Sequence, residues 1–454
     1  MGRMTQLLVS LVVASVLAMV AAGSAAADEW FPHPNGATWT YSWSDTQFNP
    51  SGTTEAVTVS SQNAANGCGW DLAWTGTTDV PLSGGTGPVI SQADDGTICF
   101  RDQTYGLENT DWSASAPPID EPSLCAQASS CSDSLGSTLF DVIWGSRNPV
   151  ISEPLLKGTS WTATGGGNGN VTSTNQYLGL QLVKVPAFPG GVIAAAVRSQ
   201  IALAGTPGDD YGSGIRTTWW VDGVGPVKVV FDHVDGAVTT ATLGATNLKP
   251  SKPASDANYF PMTVGATNTY RWTNNRHMTQ PEVEQVKVAA EVNRSARLTV
   301  KSVSGPIRAA ANYVFSLRLD GLRTTYGQSS AATLEKFPRV GHGRHFFNPI
   351  DLMVYGFGPV LPAYAVTGAR WHSGNAFDFK LSGVTGTTRI VGLDTVRVPA
   401  GRFQALEVRS TLTQKGFRYG SGVRTMWFVA GRGLVKLTFA HRDGSTDTIV
   451  LIKK

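Results

Sequence analysis

The chain has 454 residues with 36 Lys+Arg against 33 Asp+Glu, 41% hydrophobic residues, only 15% charged, and 50 Gly with 24 Pro. That balance excludes a disordered or fibrous chain, and nothing in it is extreme enough to name a substrate or partner. At roughly 100–200 residues per domain, the length suggests two or three domains, each able to bury a core.

The amino terminus reads as a secretory signal peptide over residues 1–27. Arg3 precedes an apolar run from Leu7 to Ala22, and Ala25 and Ala27 fit an A-x-A cleavage site with Asp28 as the mature start. The run is shorter than the ~20 residues a spanning helix needs. No cysteine lies near the cleavage point to carry a lipid, and no later segment is apolar enough to span a bilayer. The mature chain is expected to be soluble and extracytoplasmic, secreted or held at the cell surface.

Four cysteines follow, Cys68, Cys99, Cys125 and Cys131, all in the first third. In an exported chain they read as a two-bridge framework, with Cys68 to Cys99 and Cys125 to Cys131 the favoured one of three connectivities. Each bridge would contribute roughly 2–4 kcal/mol. Their spacing matches none of the usual zinc patterns.

Comparison of the chain with itself shows a duplication. YGSGIRTTWWVDGVGPVKVVFDHVDGAVTTATL from Tyr211 matches YGSGVRTMWFVAGRGLVKLTFAHRDGSTDTIVL from Tyr419 at 18 of 33 positions. GATWTYSW from Gly36 recurs as GATNTYRW from Gly265, the Gly158/Trp161 pair as Gly368/Trp371, and VKVPA from Val183 as VRVPA from Val396. Two copies make a tandem protein rather than a solenoid. The expected domains are an acidic, disulfide-containing domain over 28–248, a Pro-rich linker over 249–258, and a basic domain over 259–454.

Within each copy, apolar residues recur at every second position: Val57 and Val59; Tyr313, Phe315, Leu317 and Leu319; Leu406 and Val408; Val435, Leu437 and Phe439. That is a strand pattern, and no window carries a convincing helical stripe. Asp235-Gly236, Asp320-Gly321 and Asp443-Gly444 supply the residues that tight hairpins require. The fold class is therefore all-β: two homologous domains of curved antiparallel sheet, a barrel, half-barrel or sandwich, with roughly eight to eleven strands each.

The Gly-x-x-Trp segment, the VRVPAGRFQALEVRS run from Val396 and WFVAGRGLVK from Trp427 resemble a pattern in exported bacterial β-proteins of unknown function. These are similar in outline to the lipoprotein-carrier class of curved half-barrels. In the first copy Phe188-Pro189-Gly190-Gly191 interrupts the first element, and Gly225-Pro226-Val227-Lys228 replaces the second. The resemblance implies a concave β surface that holds an apolar ligand. This chain departs from the carrier class in having no lipid-anchor cysteine and no evident covering helix.

Motifs for chemistry are sparse. There is no G-x-S-x-G elbow, no H-E-x-x-H and no Walker loop. His342 and His345 stand three apart near Glu335 and Asp351 in a spacing that fits no ligand motif and reads as a loop. Asp94-Asp95 and Asp209-Asp210 are acidic turns without the alternating oxygens of an EF-hand. Paired carboxylates for glycoside hydrolysis leave no local signature. His233-Val-Asp-Gly and His441-Arg-Asp-Gly read as turn neighbours, Arg216/Arg424 and Lys228/Lys436 as edge or solvated-face residues. Trp161, Trp219, Trp371 and Trp427 read first as core anchors and second as ligand platforms.

Charge divides unevenly between the copies. From Asp28 to Pro250 there are 8 Lys+Arg against 21 Asp+Glu, a net −13; from Ser251 to Lys454 there are 27 against 12, a net +15. One expectation is contact between the acidic and basic domains; another is an anionic partner such as lipid headgroups or a wall polymer. The leading functional expectation is a non-enzymatic exported protein, with no cofactor or metal, that binds an apolar or anionic amphipathic ligand such as a lipid. The alternatives are a surface-binding structural or adhesive module and a secreted hydrolase. Export removes nucleic acid as the usual target.

Overall fold

The computed structural model describes residues 30–47, 49–61, 70–81, 89–103, 106–115, 151–152, 154–165, 171–203, 209–251, 255–292, 294–318, 321–330, 338–340, 345–356, 358–373 and 383–453. The signal-peptide segment, Cys68, Cys125, Cys131, Glu335 and His342 lie outside them, and Cys99 is described only as a backbone position. The chain divides into two compact units, Met1–Pro253 and Ala254–Lys454.

In the first unit, β1 (Thr38–Asp45), β2 (Asn49–Ser61), β3 (Trp70–Pro81), β4 (Val89–Gln103), β5 (Gly106–Ser115) and β6 (Ile151–Ser152) run outward from the middle of one sheet. β7 (Ser160–Gly165) starts again at the far edge. β8 (Val171–Val185), β9 (Phe188–Leu203), β10 (Gly214–Val221), β11 (Gly225–His233) and β12 (Val238–Thr246) then walk back until β12 pairs with β1.

The second unit repeats this plan. β13 (Thr267–Asn274), β14 (Glu282–Val292), β15 (Ser295–Ser304), β16 (Ala310–Arg318) and β17 (Gly321–Ser330) run outward. β18 (Arg370–Ser373), β19 (Val384–Val398), β20 (Gly401–Gln414), β21 (Gly422–Val429), β22 (Gly433–His441) and β23 (Thr446–Lys453) return, and β23 pairs with β13. The fold is thus all-β; among the described residues one antiparallel sheet has twelve strands and the other eleven, and neither closes into a barrel.

Alternation places one face of each sheet inward. Trp39, Tyr41 and Trp43 point into the first core, and Tyr270 and Trp272 into the second. The shared YGSG run has a backbone cause. At Gly214 and Gly422, both at φ +149°, a Cβ would lie 2.1 and 2.0 Å from the carbonyl oxygens of Asp232 and Ala440 on the neighbouring strand. Only glycine permits that approach.

One departure from the sequence reading concerns helix. In the second unit a helix, Pro349–Val354, lies in the core, with Pro349, Ile350, Leu352, Met353 and Val354 buried. It is too short for a periodic stripe, but its signals are local. Asn348 caps it by accepting from the backbone N–H groups of Ile350 and Asp351, and proline stands at its first position.

Candidate functional site

Inward-facing polar residues hold the middle of each sheet. In the second unit Asp447 Oδ1 accepts from Trp272 Nε1 at 2.9 Å and Asn274 Nδ2 at 2.7 Å. Its Oδ2 accepts from the Tyr419 hydroxyl at 2.7 Å and lies 2.8 Å from His441 Nε2. In the first unit His233 Nε2 lies 2.7 Å from Thr239 Oγ1, which donates to Asp45 Oδ2 at 2.7 Å. Asp45 faces Thr239 across β1 and β12, and Asn274 faces Asp447 across β13 and β23. The two copies therefore keep one carboxylate beside the histidine but carry it on opposite strands. Both Asp447 oxygens are engaged by protein partners, so this cluster pins the central strands to the adjacent turn.

Arg216 and Arg424 are corrections to the edge or solvated-face reading, because both are buried. Arg424 Nη1 donates to the carbonyls of Leu352 and Tyr355 at 2.8 Å and of Met353 at 3.2 Å, and Nη2 to Ser410 Oγ at 3.1 Å. It satisfies the carboxyl end of the short helix and ties it to the sheet. Burial pulls its pKa down to about 9, so it stays charged at neutral pH.

Next to this helix lies a cavity of ≈ 300 Å³. Tyr270, Val286, Val288, Leu298, Ile350 and Met353 line it with apolar side chains, and Asn268 and Arg432 are among its polar lining residues. The duplication shows which side chains differ here between the copies. In the first unit Trp39 stands where Asn268 stands, and Val224 where Arg432 stands. Trp39 is 1% exposed, and its Nε1 donates to the Val224 carbonyl at 2.7 Å. Asn268 makes the equivalent bond to the Arg432 carbonyl at 3.5 Å. One register step away, the hydroxyls of Tyr41 and Tyr270 donate to the carbonyls of Pro226 and Leu434 at 2.7 and 2.8 Å. The frame is the same, but the indole is gone.

A second change loosens the same place. Phe31 packs edge-on against Trp39 and Trp220 at 5.6 and 5.8 Å, and a Cβ on Gly225 would meet its ring at 2.8 Å. At Gly433 the nearest atoms stand at 3.9 Å, and Phe260 packs on Phe315 at 5.1 Å. The Arg432 guanidinium lies over the Phe403 ring at 5.1 Å, and its buried Nη1 has no hydrogen-bond partner among the described residues. A buried guanidinium N–H without a partner, on a residue that lines the cavity, is suited to an anionic oxygen.

On the same face of β14 stands Glu284, two residues before Val286. It is fully buried, and neither carboxylate oxygen has a hydrogen-bond partner among the described residues. Burial, and then the charges of Glu282 and Asp351, push its carboxyl well above the usual range. Glu282 accepts from Ser302 Oγ and the Ile307 and Arg308 amides, and Asp351 from Tyr313, Asn348 and the Phe347 amide. The burial and the neighbouring carboxylates therefore both favour the protonated form of Glu284.

None of the four tryptophans singled out from sequence lines the cavity. Trp161 is buried in the first core. Trp219 and Trp427 lie on the face of their strands opposite the inward Trp220 and Phe428, with Nε1 donating to Gln181 and Asp394 and with Lys228 and Lys436 over their rings. Trp371 donates to the Pro359 carbonyl at 3.0 Å. His345 stands ahead of the short helix, 6.2 Å from the Phe347 ring. Sequence reasoning missed Asn268 and Arg432, although the signal was present: both are places where the second copy departs from the first.

Among the described residues no group of three or more His, Cys, Asp or Glu side chains is placed to hold a metal ion, and no helix is long and apolar enough to cross a membrane. No protein-family model and no curated protein sequence matches the chain. Among solved structures it is similar to a protein described as exported, with a YmcC-like fold, from Bacteroides fragilis: 14% identity over 44% of this chain and 100% of that one, TM-score 0.23. A protein described as a lipoprotein from Parabacteroides distasonis gives 10% identity over 48% and 98%, TM-score 0.23. MucB in complex with MucA gives 10% over 84% and 89%, TM-score 0.18. Scores this low carry no functional argument. The class that fold and site define is a duplicated open-sheet β protein with an apolar cavity in its second copy.

Proposed function

We propose that this is an exported, non-enzymatic binding protein whose second unit holds an anionic amphipathic ligand, its apolar body in the cavity and its head at Arg432. The observation that carries the reading is the exchange of Trp39 and Val224 in one copy for Asn268 and Arg432 in the other, beside a cavity of ≈ 300 Å³. That volume stands at the lower end of small-molecule sites, and an apolar wall with few polar groups is what such sites share. Export is supported by the amino-terminal leader pattern.

Calorimetric titration of the mature protein with decanoate and with decanol tests it. Both should bind, decanoate more tightly. Arg432→Gln should weaken decanoate roughly tenfold to a hundredfold, the loss of a charged hydrogen bond of about 1.5–3 kcal/mol, and leave decanol unchanged. Failure of both probes to bind would remove the ligand reading.

A further inference from the structure

The face of the second sheet that points away from its core carries an arrangement that sheets ordinarily avoid. Arg370 on β18 stands directly opposite Arg389 on β19, and Arg389 directly opposite Arg409 on β20. All three are exposed, and residues directly opposite across antiparallel strands point to the same face. At about 4.8 Å between strands the outer two backbones lie only about 10 Å apart. Like charges so paired are destabilising. The described structure relieves one of them: Arg409 pairs with Glu407 at 2.8 Å. The next row on this face is His372, Thr387 and Thr411, also exposed and rich in hydrogen-bonding groups.

The first copy has the same row in the same register without the charge. Ser160 faces Gln176 and Gln176 faces Arg198, so one cation stands where the second copy has three. The fold therefore does not require the arginines.

We infer that the Arg370–Arg389–Arg409 row is a docking surface for a linear phosphodiester polymer of the cell surface, a partner that presupposes export of the chain but not an occupied cavity. Three arginines at facing positions in one row across the strands match a one-dimensional series of anions. All three are arginine rather than lysine, and the guanidinium fork pairs bidentately with phosphate oxygens. Charge complementarity selects the occupant, and the hydroxyl row beside it serves the polymer's own hydroxyl groups.

The test is fluorescence anisotropy of end-labelled poly(glycerol phosphate) with the mature full chain over a salt series. The wild type should bind, with log affinity falling against log salt at a slope of roughly −2, about 0.7 per contact for three contacts if the polymer behaves as a single strand. The triple variant R370Q/R389Q/R409Q should bind at least tenfold more weakly at low salt, with a slope near zero. R397Q/R402Q, which removes the facing pair Arg397 and Arg402 at the β19–β20 hairpin, should change affinity less than twofold. Equal losses in the two variants would mean diffuse charge and overturn the inference. So would tighter row-dependent binding to vesicles of phosphatidylglycerol, or to a twenty-residue oligothymidylate, than to the polymer. Decanoate titration of the triple variant should match the wild type, which separates failure here from failure of the cavity reading.

Discussion

Restoring in the second copy what the first copy has is the most direct perturbation. Asn268→Trp places an indole where Trp39 lies, over a cavity of ≈ 300 Å³, with the Arg432 carbonyl in place to accept from its Nε1 as the Val224 carbonyl does at 2.7 Å. An indole buries roughly 150–250 Å². At about 25 cal/mol per Å² this is an upper bound near 4–6 kcal/mol. Repacking around a large side chain costs typically 1–3 kcal/mol, so a net gain of at most about 1–5 kcal/mol is expected. For a unit of this size that raises Tm by roughly 2–4 °C per kcal/mol. Calorimetry of the unfolding transition and decanol titration together check it: stability should rise while decanol binding falls at least tenfold. An Asn268→Trp protein that is less stable than the wild type and still binds decanol would refute the idea that the cavity is the space Trp39 fills.

Asp45→Asn should destabilise the first unit by about 1–3 kcal/mol, since buried His233 and Thr239 lose their shared carboxylate. The double variant D45N/T239D, which copies the Asn274/Asp447 arrangement, should recover at least about 1 kcal/mol of that, as read from urea denaturation in a double-mutant cycle. Arg424→Met should lower the stability of the second unit by at least about 3 kcal/mol by orphaning the carbonyls of Leu352, Met353 and Tyr355, with Arg424→Lys between it and the wild type by the same assay. Glu284 keeps its proton in the folded state well above the ordinary value of 4.5, whereas the unfolded chain loses it near that value, so the folded state holds more protons and stability falls as pH rises above about 4.5. Glu284→Gln removes this term; Tm measured from pH 5 to 8 should decline less in the variant than in the wild type.

The strand pattern, the duplication and the hairpin turns were legible because they are local or repeated. Alternation in Tyr313 and Phe315 needs only the period of two, and Asp443-Gly444 needs only the turn's positive φ. The short helix escaped because six residues hold too little of a 3.6 period, although Asn348-Pro349 marked its start. Arg424 was misplaced because charge in an alternating strand reads as solvated; its inward direction follows from its partners, the carbonyls of a helix about seventy residues earlier.

What the sequence determined by itself is the all-β class, the duplication and the surplus of positive charge in the second copy, since composition, period and self-similarity are properties of the chain alone. Only the tertiary structure decided where those differences act. Closing β23 onto β13 brings the β13 face and the β21–β22 turn together, so that Asn268 and Arg432, 164 residues apart, meet at one cavity. Strand register likewise sets Arg370, Arg389 and Arg409 side by side. Residues far apart in sequence become neighbours only when hydrogen-bonded strands fix which row they share.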